Sequence, residues 1–188
     1  MKTTGLLLIV ILIASFTQCT TGTKEGETQA TTDSSALIIN EFFVSTMEAG
    51  QLSLELATLA ARSTNEDLRS LGETIVSLNT ALLEELKGLA TLKNVQLPDS
   101  VEAGKMRSIR AINEKTGAEF DQAVARMLGS EQRKFFSHIR RSKEIRDAEI
   151  DAFAEKNKKS IREVSGKIRG LRKKMNPDPA KAKDERPA

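Results

Sequence analysis

The stretch that most constrains what this chain can become is residues 64–92, TNEDLRSLGETIVSLNTALLEELKGLATL. Leu68, Leu71, Ile75, Leu78, Leu82, Leu86 and Leu89 recur at steps of three and four. That spacing draws one apolar stripe down one face of an α-helix. Thr64 and Asp67 are placed as a capping box, and Glu66 and Asp67 put negative charge at the helix start. Lys87 and Lys93 put positive charge near its end, and Pro98 stops it. Both charge placements suit the helix dipole. Such a helix spans about 40 Å at ~1.5 Å per residue. It cannot bury its stripe alone, so it requires partners of similar length.

The rest of the chain supplies them. Residues 36–62 place Ile38, Phe42, Ser45, Ala49, Leu52, Leu56 and Leu59 on one face, with Ser34 or Ser35 as cap. The small residues Ser45 and Ala49 permit close approach of a neighbour, and Gly50 is a weak point in mid-helix. A turn of three residues, Ser63-Thr64-Asn65, makes these two helices antiparallel neighbours. After the loop around Pro98, a short helix to Lys115 turns Met106, Ile109 and Ile112 inward. Residues 118–145 form a third long helix with the stripe Phe120, Val124, Met127, Leu128, Phe135, Ile139 and Ile145. Gly129-Ser130 is expected to bend it. Asp147 caps a fourth, residues 148–175. Its stripe Ile150, Phe153, Asn157, Ile161, Val164, Ile168, Leu171, Met175 has the near-heptad spacing of a coiled coil with one polar position. The fold class expected is all-α: an antiparallel four-helix bundle, with an extra short helix between the second and third long helices.

Outside residues 36–175 the sequence changes character. Residues 1–19, MKTTGLLLIVILIASFTQC, have a positive start at Lys2 and an apolar run from Gly5 to Phe16 that is too short for a comfortable membrane span. The run ends at Cys19, the chain's only cysteine, so no intrachain disulfide can form. An apolar run closed by a single Cys and followed by a polar linker resembles a bacterial lipoprotein signal, in which the Cys thiol is acylated. Gln18 and Phe16 depart from that pattern, where a small residue and Leu are usual. The alternatives are an uncleaved anchor or an ordinary secreted protein. Residues 20–35, rich in Thr, Ser and Gly, read as a flexible linker, and residues 176–188 as a Pro-rich disordered tail.

The first two long helices also carry a family resemblance. Phe43-Val44, the Leu-Ala-Ala run at Leu59 to Ala61, the Asn65 turn, Leu89-Ala90, Leu97-Pro98 and, further on, Phe120-Asp121 together resemble the exported bacterial family known as domain of unknown function 4142. The resemblance covers most of residues 42–175 and implies a ferritin-like helical bundle behind a signal or lipoprotein peptide. Its pattern implies a Glu near Ser53, an Asp-His pair where this chain has Leu78-Asn79, a His near Gln132 and another near Glu163. None of these positions is His here, which puts any metal chemistry of the family in doubt for this chain.

The inventory of reactive groups is thin. The single histidine, His138, follows Phe135 by three residues and is read as a boundary or surface residue, since one titratable group alone marks no site. Glu48 and Glu55 share a helix face and are read as solvated rather than as a carboxylate pair. Asn79 and Asn157 are read as polar points that fix register. No phosphate loop, metal-spacing motif or nucleophile elbow is present. No catalytic residue, cofactor or metal ligand is therefore assigned, and Cys19 is the one site, for lipidation. Residues 1–100 carry 6 Lys/Arg against 12 Asp/Glu, and residues 101–188 carry 23 against 14. The plainer account is an acidic half packed on a basic half; the sharper one is a basic surface for an anionic partner. Nucleic acid fits the charge but not the export signal or the scarcity of aromatic residues.

The function expected is an exported, lipid-anchored bundle on the periplasmic side of the bacterial envelope, with the outer membrane as its site. It would act as a non-catalytic binding or structural module whose partners are the membrane and an envelope protein or anionic polymer. The alternatives are a ferritin-like metal-binding protein or oxidoreductase, and a bundle that binds anionic polymers through its basic last helix.

Overall fold

The computed structural model describes residues 25–175, with side chains from residue 35 onward. The signal segment with Cys19, the start of the linker and the tail at 176–188 lie outside the described residues. Five α-helices follow in order: α1 Glu25–Ala60, α2 Glu66–Leu92, α3 Ala103–Asn113, α4 Gly117–Arg140 and α5 Ala148–Met175. A 3₁₀ turn, Arg141–Glu144, joins α4 to α5. No strand occurs among the described residues. The molecule is an all-α helical bundle. α1 packs on α2 and α4, and α5 packs on the same two helices from the other side.

Each helix starts and stops for a local reason. The cap of α2 is Asn65, not Thr64: the Asn65 Oδ1 accepts from the Leu68 amide at 3.0 Å. A carboxamide at this position reaches the third amide without the Thr64–Asp67 exchange the sequence suggested. Asn94, at φ 56°, turns the chain out of α2. Asp147 caps α5 as expected, with its Oδ1 accepting from the amides of Glu149 (3.2 Å) and Ile150 (3.1 Å). The third long helix ends five residues earlier than its stripe implied, at Arg140, and the chain tightens into the 3₁₀ turn before Arg146 takes φ 60°. At its other end α1 begins at Glu25, so residues 25–35, read from composition as linker, are helical. Extending an existing helix adds one hydrogen bond per residue fixed, without a new nucleation cost.

The core runs through Phe43, Met47, Leu52 and Leu56 of α1, Leu68, Ile75, Leu82 and Leu86 of α2, Val124, Leu128, Phe135 and Ile139 of α4, and Ile150, Phe153, Ile161 and Val164 of α5. Each such side chain contributes about 1.5–3 kcal/mol when fully buried. The expected α2 stripe is buried at Leu68, Leu71, Ile75, Leu82 and Leu86 and departs from expectation mainly at one point. Leu78 is half-buried at the margin, and Asn79 is fully buried in its place. On α1, Ile38 is 47% exposed and Ser45 half-buried, because the helix beds its middle, not its start, between two neighbours. Short links fix the remaining pieces. Gln51 Nε2 donates to the Pro98 carbonyl at 3.0 Å and holds the loop before α3 against α1. Lys93 at the end of α2 pairs with Asp147 (2.5 Å) and Glu149 (2.9 Å) at the start of α5. Lys174 at the end of α5 pairs with Asp67 at the start of α2 (2.7 Å).

Glycine sets how closely the helices meet. A Cβ on Gly72 would lie 2.4 Å from the Ala61 nitrogen and 2.8 Å from the Ala57 oxygen, so α1 and α2 touch backbone to backbone there. Gly50, a weak point on helix propensity alone, sits against Leu83 and Phe135, with 2.6 and 2.8 Å available to a Cβ. α4 runs through Gly129 without a break, from Gly117 to Arg140; a Cβ there would meet Ile168 and Arg172 of α5 at 3.3 Å. Gly88, by contrast, faces open space. Gly72→Ala is therefore expected to destabilise the fold by about 1–3 kcal/mol through overpacking. Gly88→Ala is expected to stabilise it by roughly 0.5–1 kcal/mol through helix propensity. Urea denaturation of the two variants checks this; shifts of the same sign would mean that the α1–α2 contact is looser than described.

Candidate functional site

Three places in the molecule gather polar side chains. The first is in the core. Ser53 on α1, Asn79 on α2 and Gln132 on α4 are each fully buried. Asn79 Nδ2 donates to Gln132 Oε1 at 2.9 Å, and Gln132 Nε2 donates back to Asn79 Oδ1 at 2.8 Å. The Ser53 hydroxyl donates to the same Gln132 Oε1. Two amides thus close a reciprocal pair, and the hydroxyl takes the remaining lone pair of one oxygen. Asn79 is not the isolated polar point that the sequence suggested, and Asn157 lies elsewhere, half-buried at the bundle edge. There its Nδ2 donates to Glu85 Oε2 (3.2 Å) and to the Phe153 carbonyl (2.9 Å).

The structure therefore brings together three of the four positions at which the family resemblance implied carboxylate or histidine. The fourth, Glu163, is exposed on α5. The donor set assembled is a hydroxyl and two neutral amides. It has no proton to exchange near neutral pH, no thiolate or imidazole and no carboxylate. Both of its amide oxygens are already engaged by N–H or O–H donors. These residues do not fit a transition metal, and among the described residues no group of three or more His, Cys, Asp or Glu side chains converges.

A second buried polar pair ties the α1–α2 turn to the start of α4. Ser63 Oγ donates to Asp121 Oδ1 at 2.5 Å and accepts from the Asn65 amide at 3.0 Å. The Asn65 turn and Asp121, singled out separately in the sequence, are thus parts of one structural joint. His138 lines a small cavity of about 170 Å³ with Ile38, Glu41, Phe42, Ser45 and Arg141. Burial lowers its pKa first, and the Arg141 charge adds to this, opposed in part by Glu41. Arg141 is itself engaged by Glu144 at 3.0 Å. His138 thus has no acid–base partner in hydrogen-bonding reach among the described residues, in line with a boundary residue. Glu48 and Glu55 are both exposed.

The third place is on the surface between α4 and α5, a groove of about 700 Å³ lined by Arg133, Phe136, Arg140, Arg162, Ser165, Ile168, Arg169 and Arg172. The sequence marked the basic stretch but not the groove, because only the packing of α4 on α5 brings Arg133 and Arg140 opposite the arginines of the last helix. The spacing of seven within each helix was the available signal.

Cutting the core network is expected to cost stability. Gln132→Leu strands the Asn79 amide and the Ser53 hydroxyl, each at about 1–3 kcal/mol. The triple variant Ser53→Ala, Asn79→Leu, Gln132→Leu is expected to recover most of that loss, since no polar group is left without a partner. A denaturation cycle over the single and triple variants checks it. A triple loss equal to the sum of the singles would mean that the three side chains act independently.

No curated protein and no solved structure matches this chain. The match to a family spans residues 23–171, from before the described part of α1 to the Leu171 turn of α5. It therefore takes in the amide-paired core, the Ser63–Asp121 joint and four of the five groove arginines, and the chain belongs to the family described as domain of unknown function (DUF4142).

Proposed function

We propose that this protein is an exported, lipid-anchored helical bundle of the bacterial envelope that acts as a non-catalytic binding or structural module. The four long helices are arranged as an antiparallel, ferritin-like bundle. The mutual packing of α1 and α5 on α2 and α4 supports that arrangement, as do the ion pairs at both ends of α2 and α5. The observation that carries the non-catalytic reading is the core cluster. A ferritin-like di-metal centre takes carboxylates from two helices and a Glu-x-x-His pair from each of the others. The equivalent interior here is Ser53, Asn79 and Gln132, hydrogen-bonded to one another. With one histidine in the chain, two such pairs cannot be built. The export reading rests on the apolar run that ends at Cys19.

Two measurements test this reading. Growth with a fatty-acid analogue is expected to label the chain and to leave a Cys19→Ala variant unlabelled and free of membranes; equal labelling of both removes the anchor. Elemental analysis of protein purified without chelator is expected to find no stoichiometric iron, manganese or zinc after dialysis. Metal that survives at one or two ions per chain overturns the non-catalytic reading in favour of a metal-dependent oxidoreductase.

A further inference from the structure

We propose that the groove between α4 and α5 binds a linear chain of phosphate groups, gripped by arginines on both of its walls. The inference rests on the reading of this protein as a binding module and gives that module a site and a ligand chemistry.

The first observation is how the cations are sorted. α5 carries three arginines and six lysines. All three arginines, Arg162, Arg169 and Arg172, line the groove, and none of the six lysines does. On the facing wall α4 contributes Arg133 and Arg140, while its Lys134 is turned to Glu131 at 2.8 Å. A need for general positive charge would not separate the two residue types. A guanidinium differs from an ammonium in presenting a planar fork that grips phosphate oxygens two at a time.

The second observation is that these charges are uncompensated. Lys156, Lys158 and Lys174 of α5 pair with Glu85, Glu155 and Asp67. None of the five groove arginines has a hydrogen bond or ion pair among the described residues, and no acidic residue lines the groove. The groove's two apolar lining residues, Phe136 and Ile168, are themselves buried. Long arginine stems at a groove edge can cover apolar surface, but that does not account for five like charges lining one hollow, an arrangement that an anion relieves.

Shape selects among anions. Arg133 and Arg140 are seven residues apart, and so are Arg162 and Arg169; each pair stands about 10 Å apart along its helix at ~1.5 Å per residue. The walls run in opposite senses, as the packing of Gly129 under Ile168 and Arg172 and the Lys143–Glu155 pair at 3.2 Å fix. Arg140 and Arg162 therefore occupy one end of the groove, and Arg133, Arg169 and Arg172 the other. A lone phosphate reaches one end only, whereas a chain laid along the groove reaches both. The aromatic floor, Phe136, is 1% exposed and offers no face for a stacked base, which disfavours nucleic acid. A concave slot between helices also suits a single strand better than the plane of a membrane.

The test uses the full chain and binding measured by titration at moderate salt. The probes are inorganic polyphosphate, tripolyphosphate, an abasic oligodeoxynucleotide as a phosphodiester chain, and vesicles containing phosphatidylglycerol. Polyphosphate or the abasic chain is expected to bind, and which of the two binds more tightly tells an anhydride from a diester backbone. Tripolyphosphate is expected to bind at least about tenfold more weakly, because it cannot bridge both ends. Arg140→Ala/Arg162→Ala and Arg133→Ala/Arg169→Ala are each expected to lose about tenfold or more, and Arg162→Lys/Arg169→Lys several-fold. Lys159→Ala/Lys167→Ala, with the same charge loss on exposed positions of α5, is expected to change affinity about twofold or less. Unchanged thermal melts establish that every variant is folded. Equal losses from the lysine and arginine pairs overturn the site, as does binding to vesicles with none to either phosphate chain. Absence of all binding also overturns it, while leaving the anchoring and metal results to decide the broader reading on their own.

Discussion

The amide pair between Asn79 and Gln132 fixes the rest of this structure more than any single apolar contact does. The helices that carry these residues, α2 and α4, pack mainly on α1 and α5 rather than on each other. The pair therefore reaches through the middle of the bundle, and Ser53 adds α1 to the same point. Apolar contacts between long helices are forgiving in the axial direction, since one Leu can replace another a turn away. A reciprocal amide pair is not forgiving, because sliding one helix by a turn buries two amides without partners at a cost of several kcal/mol. The cluster sets the register of three helices at once. The close approach of α1 to α2 at Gly72 then becomes a consequence of that register as well as of the small side chain.

Polar joints at the ends complete what the centre begins. Ser63, Asp121 and Asn65 bind the α1–α2 turn to the start of α4. Lys93 with Asp147 and Glu149, and Lys174 with Asp67, close α5 onto α2 at its two ends. The exposed pair at Lys174 contributes little on its own. Lys93 differs: its ammonium is held by two carboxylates, its pKa is raised first by the hydrogen bond to Asp147, and Asp147 also caps α5. One residue at the end of α2 thus steadies the first turn of α5.

Much of this was legible in the sequence. The helices, their order, the Asp147 cap and most of the core follow from spacing, because a period of 3.6 with leucine at the repeats has few other physical meanings. What spacing could not resolve was which of two adjacent residues sits inside. Leu78 and Asn79 both lie near the α2 stripe, and hydropathy favours Leu78; the structure buries Asn79 because Gln132 and Ser53 meet it there. Gln132 itself occupies a gap in the α4 stripe between Leu128 and Phe135, and that gap was the signal. Buried polar residues are invisible to a hydropathy argument until their partners are known, and those partners here are 53 positions apart. The helical start of α1 escaped for a different reason: Thr and Ser lower local propensity, yet a long helix propagates through them.

The arginine-lined groove was the least legible feature, since its two walls come from helices whose arginines are 22 or more residues apart in sequence. Composition showed an excess of cations after residue 100, and the simplest use for that excess is to neutralise the acidic first half. Two lysines of α5 do part of that work, Lys156 on Glu85 and Lys174 on Asp67. The groove arginines take no part in it. The central cluster of Ser53, Asn79 and Gln132 is neutral, whereas the five groove arginines carry charge that no acidic residue of the groove offsets. The interior side chains hold α1, α2 and α4 in register, and that register keeps the α4 wall of the groove opposite α5, so the buried cluster positions the groove arginines.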